Sequence, residues 1–170
     1  LLLATPLCAK VKEGQMAPDF GLRDLFEDGS STRSYWVSDF VGPEAGENAK
    51  KALLISFCHS KCKACWKELP ELFSLKEKYG PRGFEVWSIL VDSDPQGREK
   101  GKKKLENAKG KIVVTRTASA RMADEYMGTP WDMPALFLID KNGKIVRVMH
   151  EYKPDELKEL DARIEKLLGE

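Results

Sequence analysis

Two apolar runs constrain the fold of this chain more than any other feature: Ala52-Leu-Leu-Ile-Ser-Phe57 and Phe84-Glu-Val-Trp-Ser-Ile-Leu-Val91. Both have strand length, and the near-absence of alternation between apolar and polar residues is expected of strands buried on both faces of a sheet. Helical signals separate them. Leu69, Leu72, Phe73 and Tyr79 fall near helical spacing ahead of Gly80-Pro81, with Pro70 expected to kink that helix. Asp94-Pro95 opens a basic helical segment reaching to about Lys109, and Ile112-Val-Val-Thr115 reads as a third strand. Ser119 is placed to cap a short helix that ends at Gly128. Ala135–Asp140 and Lys144–Met149 flank Asn142-Gly143, a two-residue hairpin signal. A closing helix starts at Pro154 and carries Leu157, Leu160, Ile164, Leu167 and Leu168 on its apolar face. Upstream, residues 20–40 read as a strand, a turn at Asp28-Gly29 and a second extended segment. Strands alternating with helices make an α/β fold with a largely parallel sheet, to which the hairpin adds antiparallel strands.

A chain of 170 residues makes one domain with a core that needs no disulfide staples. Its 28 Lys and Arg against 27 Asp and Glu leave a net charge of +1, which provides no global pull toward nucleic acid or an acidic membrane. The near-neutral total hides a basic stretch from Arg98 to Lys111, read either as a solvated helix face or as a surface docking an acidic partner. No apolar run reaches the roughly 20 residues of a membrane helix. Leu1 to Ala9 resembles the tail of a signal peptide, the competing reading being an ordered N-terminal strand. Residues 1–13 are therefore assigned to an export remnant or extension, and residues 14–170 to the domain. Leu7 and Pro6 argue against Cys8 as a lipid-bearing cysteine.

Four cysteines are too few for a disulfide scaffold, and three of them lie between positions 58 and 65. The run Phe57-Cys-His-Ser-Lys-Cys62-Lys-Ala-Cys65-Trp-Lys-Glu-Leu-Pro70 leaves a buried strand and opens a helix. At that junction Cys62 meets unpaired backbone N–H groups and the positive end of the helix dipole, which favour its thiolate. Lys61 and Lys63 push the same way. Cys65, one turn later, is expected to be buried and close enough to close a disulfide. The chemistry is thiol–disulfide exchange: the Cys62 thiolate attacks a substrate disulfide, and Cys65 resolves the mixed disulfide.

With these residues in view, the chain resembles the thioredoxin fold, and within it the TlpA/ResA-like, AhpC/TSA-related group of exported thiol–disulfide oxidoreductases. The resemblance runs through Gly14-Gln-Met-Ala-Pro-Asp-Phe20, Cys62 to Pro70, Val91-Asp-Ser-Asp-Pro95 and Met133-Pro-Ala-Leu-Phe-Leu-Ile-Asp140, followed by Asn142-Gly143. It implies a mixed central sheet flanked by helices, with an N-terminal β-hairpin extension and an inserted helix. It also implies a Cys62–Cys65 redox pair, a cis-proline at Pro134 with Met133 offering backbone hydrogen bonds to substrate, and Glu68 as a proton relay for Cys65. The expected partners are protein thiols or disulfides and an upstream redox partner, met by a monomer on the extracytoplasmic (periplasmic) side. Cytochrome c maturation and disulfide homeostasis are the implied settings, with no organic cofactor or metal.

Departures from the pattern are also visible. The buried Asp of thioredoxins proper is replaced by Ser56, and Cys58 and Lys61 stand where aromatics are usual. Lys61 should make the disulfide more oxidising. Ala135 follows the proline, and Trp131-Asp132 precede Met133, with Trp131 expected to wall the substrate groove alongside Trp66. A competing reading is a metal-handling protein that binds a soft ion through Cys58, His59, Cys62 and Cys65, although Cys58 is expected to point away from the helix cap. A thiol peroxidase is disfavoured because His59, not Thr, stands three residues before Cys62.

Overall fold

The computed structural model describes residues 10–27, 34–117, 120–150 and 153–169. The two apolar runs are the centre of a seven-stranded sheet: β3 (Ala52–Cys58) lies parallel to β4 (Phe84–Leu90), which lies parallel to β5 (Val113–Arg116). β6 (Ala135–Asp140) and β7 (Ile145–His150) extend one side antiparallel, while β1 (Leu22–Asp24) and β2 (Ser34–Tyr35) extend the other, giving the order β2-β1-β5-β4-β3-β6-β7. The mixed sheet and the N-terminal hairpin match expectation. The Asp28-Gly29 turn, the Ser119 cap and residues 1–9 lie outside the described residues.

Strand periodicity sorts the side chains into two cores. Ala52, Leu54 and Cys58 face one way with Val86, Leu90, Leu136 and Leu138, beneath α1 (Lys63–Tyr79) and α4 (Pro154–Gly169). Leu53, Ile55 and Phe57 face the other way with Trp87 and Phe137, against Met122, Tyr126 and Met127 of α3 (Arg121–Met127). Trp87 is fully buried and takes the edges of Phe40 and Tyr35 at 5.0 and 6.1 Å between ring centroids. Residues 10–13 also engage the domain: Val11 N–H donates to the Tyr126 carbonyl, and Glu13 meets Arg147 and the Val148 N–H of β7.

Two details differ from the sequence reading. The second helix, α2 (Pro95–Lys104), is shorter than expected: the chain tightens into a 3-10 turn at residues 106–108, which places Leu105 and Ala108 in the core. The β6–β7 connection spans residues 141–144, where the Asp140 carboxylate accepts the Asn142 and Lys144 N–H groups and Gly143 takes φ +82°. Helix α2 packs tightly on the sheet at two glycines. A Cβ on Gly101 would stand 2.5 Å from Leu90 Cδ1, and one on Gly97 would collide with the Asp92 carboxylate.

Candidate active site

β3 ends at Cys58, a short turn follows, and α1 begins at Lys63, so the turn delivers Cys62 to the N-cap of the helix. The Cys62 sulfur accepts the Cys65 backbone N–H at 3.1 Å and is also bonded to the Cys65 sulfur, the two Cα atoms lying 5.4 Å apart. Cys62 is half-buried and Cys65 is buried. One sulfur is therefore accessible while the other is withheld. In the reduced protein the N–H that caps the helix would point at the Cys62 thiolate, the arrangement that lowers a thiol pKa. Lys61 and Lys63 are exposed beside it.

A polar layer lies beneath the pair. Glu68, one helical turn after Cys65, is buried with 1% exposure, and its Oε1 accepts the Ser56 hydroxyl at 2.9 Å. Burial raises its carboxyl from the ordinary 4.5 to about 7, against the opposing effect of the Ser56 hydrogen bond. The missing buried acid of the strand is thus supplied from the helix, and Ser56 is its hydrogen-bond donor. Ser88 sits beside Ser56 in the parallel register and engages the Cys58 thiol at 3.5 Å. Cys58 lies on the α1 face of the sheet because it shares the strand face of Leu54 and Ser56, with its sulfur turned to Ser88 and the Ile89 carbonyl. Burial pushes its thiol up to about 12; the Ser88 hydrogen bond opposes this, and the Asp92 and Glu68 charges add to it, so Cys58 stays protonated and inert.

The turn before Cys62 is held by a residue that sequence reasoning did not single out. Asp92, just beyond β4, is buried at 2% exposure. Its carboxylate accepts the Ser60 N–H at 2.7 Å and the Ser60 hydroxyl at 2.6 Å, and lies 3.4 Å from His59 Nε2. His59 Nδ1 accepts the Lys61 N–H at 3.2 Å, so Nε2 carries the ring proton that faces Asp92. The His59 carbonyl in turn accepts the Cys62 N–H at 2.8 Å. Asp92→Ala leaves the Ser60 donors without their acceptor, and we expect it to lower unfolding free energy by about 2 kcal/mol. Urea titration of the oxidised protein measures this; a loss below about 0.5 kcal/mol would show that water replaces the carboxylate freely.

These contacts also separate the competing chemistries. Both ring nitrogens of His59 are occupied and the Cys58 sulfur is turned to Ser88 and the Ile89 carbonyl, so the proposed Cys58, His59, Cys62 and Cys65 ligand set does not converge. Among the described residues, no group of three or more His, Cys, Asp or Glu is placed to hold a metal ion.

The Met133–Pro134 bond is cis, as is Thr129–Pro130, which was not foreseen. Pro134 is buried ahead of β6, and Met133 touches both cores. Trp131 packs on the α3 side and donates its indole N–H to Asp124 at 2.8 Å, so it is tied to α3. Trp66 packs on the α1-side core with its indole nitrogen buried, and Lys104 lies over its ring. His150, at the end of β7, has both ring nitrogens buried.

A mixed sheet of this order, with a Cys-x-x-Cys disulfide capping the helix that leaves a central parallel strand, defines a thiol–disulfide oxidoreductase of thioredoxin fold. The chain belongs to the AhpC/TSA family, which it matches over residues 13–148. It is similar to the thiol-disulfide oxidoreductase ResA of Geobacillus thermodenitrificans, with 29% identity over 139 residues, 82% of this chain and 70% of that one. ResA of Bacillus cereus is 29% identical over 150 residues, 88% of this chain and 75% of that one. Among solved structures, a putative thiol:disulfide interchange protein DsbE from Chlorobium tepidum aligns with TM-score 0.72 and 24% identity, over 94% of this chain and 99% of that one. A putative protein disulfide isomerase from Bacteroides thetaiotaomicron aligns with TM-score 0.73 and 24% identity, over 94% and 92%. At that identity the two structures speak to the fold alone.

Proposed function

We propose that this oxidoreductase exchanges its Cys62–Cys65 disulfide with protein cysteines, Cys62 acting as nucleophile and Cys65 as resolving thiol. The observation that carries the reading is the asymmetry of the pair: a half-buried Cys62 sulfur at the helix cap and a buried Cys65 above a buried carboxyl. In the reducing direction the Cys62 thiolate attacks a substrate disulfide, whose other sulfur leaves as a thiolate and takes up a proton. Cys65 passes its proton to Glu68 and attacks the Cys62 sulfur. The substrate's second sulfur leaves, so two electrons pass to substrate and the enzyme disulfide re-forms. The exchange itself uses no organic cofactor or metal. Met133 and Pro134 form the wall against which a substrate strand lies, Trp131 borders it, and Lys61 and Lys63 favour the thiolate. An upstream redox partner restores the starting state.

The resemblance to the ResA-like group supports an extracytoplasmic setting, in cytochrome c maturation or disulfide homeostasis. Among the described residues, no helix is long and apolar enough to cross a membrane. The test is insulin reduction with dithiothreitol as electron source. The expected result is B-chain precipitation well ahead of the dithiothreitol control; a time course equal to the control, with Cys62 and Cys65 shown by mass to be reduced, would overturn the reading.

A further inference from the structure

Charge is unevenly distributed along α1. The acids of α4 are paired near the C-terminal end of α1 and along β7: Lys78 meets Asp161 at 2.9 Å, Arg82 meets Glu165 at 2.7 Å, and Arg147 meets Glu159 at 3.1 Å. The opposite end, next to the disulfide, is different. Residues 98–111 carry seven Lys or Arg and two Glu, and four of those lysines lie over aromatic rings. Lys104 Nζ stands 5.0 Å from the Trp66 ring and Lys111 Nζ 4.8 Å from Phe73, while Lys109 and Lys102 stand 5.5 and 6.0 Å from Phe26.

Ring contact holds an ammonium group in place without neutralising it. None of these four lysines is ion-paired with a described residue; the one pair inside the stretch is Lys103–Glu99 at 3.9 Å. Trp66 directly follows Cys65, and Phe73 lies seven residues further along α1, two turns or about 10 Å down the same side of the helix. Lys104 and Lys111 therefore mark a line leading away from the disulfide. Lys61, Lys63 and Lys67, all exposed, continue the positive surface to Cys62. Glu71 on α1, Glu106, and Asp94, whose charge interacts with Lys61, are exposed acids nearby and leave the excess positive.

We propose that this strip docks an acidic polypeptide segment carrying the cysteine to be exchanged. The inference rests on the thiol–disulfide reading above and adds the chemical class of the partner. A substrate sulfur must come within bonding distance of Cys62, which brings the surface around it over Lys61, Lys63 and the Trp66–Lys104 pair. Carboxylates on that surface find fixed, unpaired ammonium groups, which raises the encounter rate and sets the register of approach. An anionic bilayer would meet the same charges but would present no thiol to Cys62.

The test follows reduced full-chain protein by stopped flow against three peptides, each carrying one cysteine as a mixed disulfide with neutral 2-thiopyridine. The cysteine is flanked by Glu, Ser or Lys. At about 10 mM ionic strength the Glu peptide is expected to react about tenfold faster than the Ser peptide and the Lys peptide more slowly than either, the differences closing to within about twofold at about 0.5 M salt. In Lys104→Glu/Lys111→Glu the ratio of Glu-peptide to Ser-peptide rates should fall to about one or below. Lys104→Gln/Lys111→Gln provides the same readout should the double Glu variant not fold.

Equal rates for the Glu and Lys peptides, or a Glu advantage that survives high salt or both substitutions, would overturn the proposal. So would equal peptide rates together with binding to phosphatidylglycerol vesicles that the substitutions abolish, which would assign the strip to a lipid surface. Failure of the exchange reading shows separately, as an undiminished rate of Cys62→Ser with uncharged dithiodipyridine.

Discussion

Cys62→Ser is expected to lower disulfide exchange by on the order of a thousandfold or more, because the attacking sulfur is removed and no other thiolate among the described residues is placed to replace it. Cys65 is buried, and Cys58 is held protonated by a thiol pKa of about 12. Cys65→Ser gives a different result. Cys62 still attacks, but the mixed disulfide has no internal thiol to resolve it, so one equivalent of substrate remains attached and turnover stops. Insulin reduction measures the loss in both variants, and intact-protein mass after alkylation measures the trapped adduct. If Cys62→Ser retained activity, or if the adduct formed in Cys62→Ser and not in Cys65→Ser, the roles assigned to the two sulfurs would be wrong.

Glu68→Gln should change both stability and rate, in opposite senses above neutrality. A carboxyl whose pKa is raised from 4.5 to about 7 by burial holds its proton more tightly in the folded state than in the unfolded chain. The folded state then binds more protons between those two values, so stability falls as pH rises through that window and levels off above it. The span corresponds to about 3 kcal/mol as an order of magnitude. Gln keeps a hydrogen-bonding partner for Ser56 and does not titrate. The oxidised variant should therefore lose the slope between pH 4.5 and 7 and exceed wild type above pH 7.

Catalysis should move the other way. In the proposed mechanism the ionised Glu68 takes the Cys65 proton, so resolution of the mixed disulfide in wild type should speed up as pH rises through about 7. In Glu68→Gln that limb disappears and the step slows at least about tenfold. Urea unfolding at several pH values and a single-turnover pH profile check the two halves. Parallel stability slopes in the two proteins would mean that Glu68 is not the group whose ionisation burial suppresses.

Much of this was legible in the residues. The apolar runs of β3 and β4 marked strands covered on both faces, and each is interrupted by a serine: Ser56 and Ser88. The interruptions are visible in a list of residues, but their common purpose is not, because it depends on parallel register placing the two serines side by side under α1. Glu68 shows the same limit. Its position three residues after Cys65 put it on the right face of the helix. A helix face does not say whether a carboxyl meets solvent or a serine hydroxyl, and that difference sets its pKa.

Asp92 was visible only as part of the stretch Val91 to Pro95. Its role depends on a contact across 32 residues to Ser60, which no local periodicity encodes. The basic stretch followed the same course, since its composition could not distinguish a solvated helix from a surface seated on Trp66 and Phe73. By itself, the sequence determined what local physics controls: strand burial, helix caps and turns, and the pair of sulfurs one helical turn apart. Only the tertiary structure decided the rest, namely which cysteine is shielded, which carboxyls are buried, and which charges line the approach to Cys62. Burial and charge proximity arise from residues distant in sequence, and they set the protonation and reach of each group.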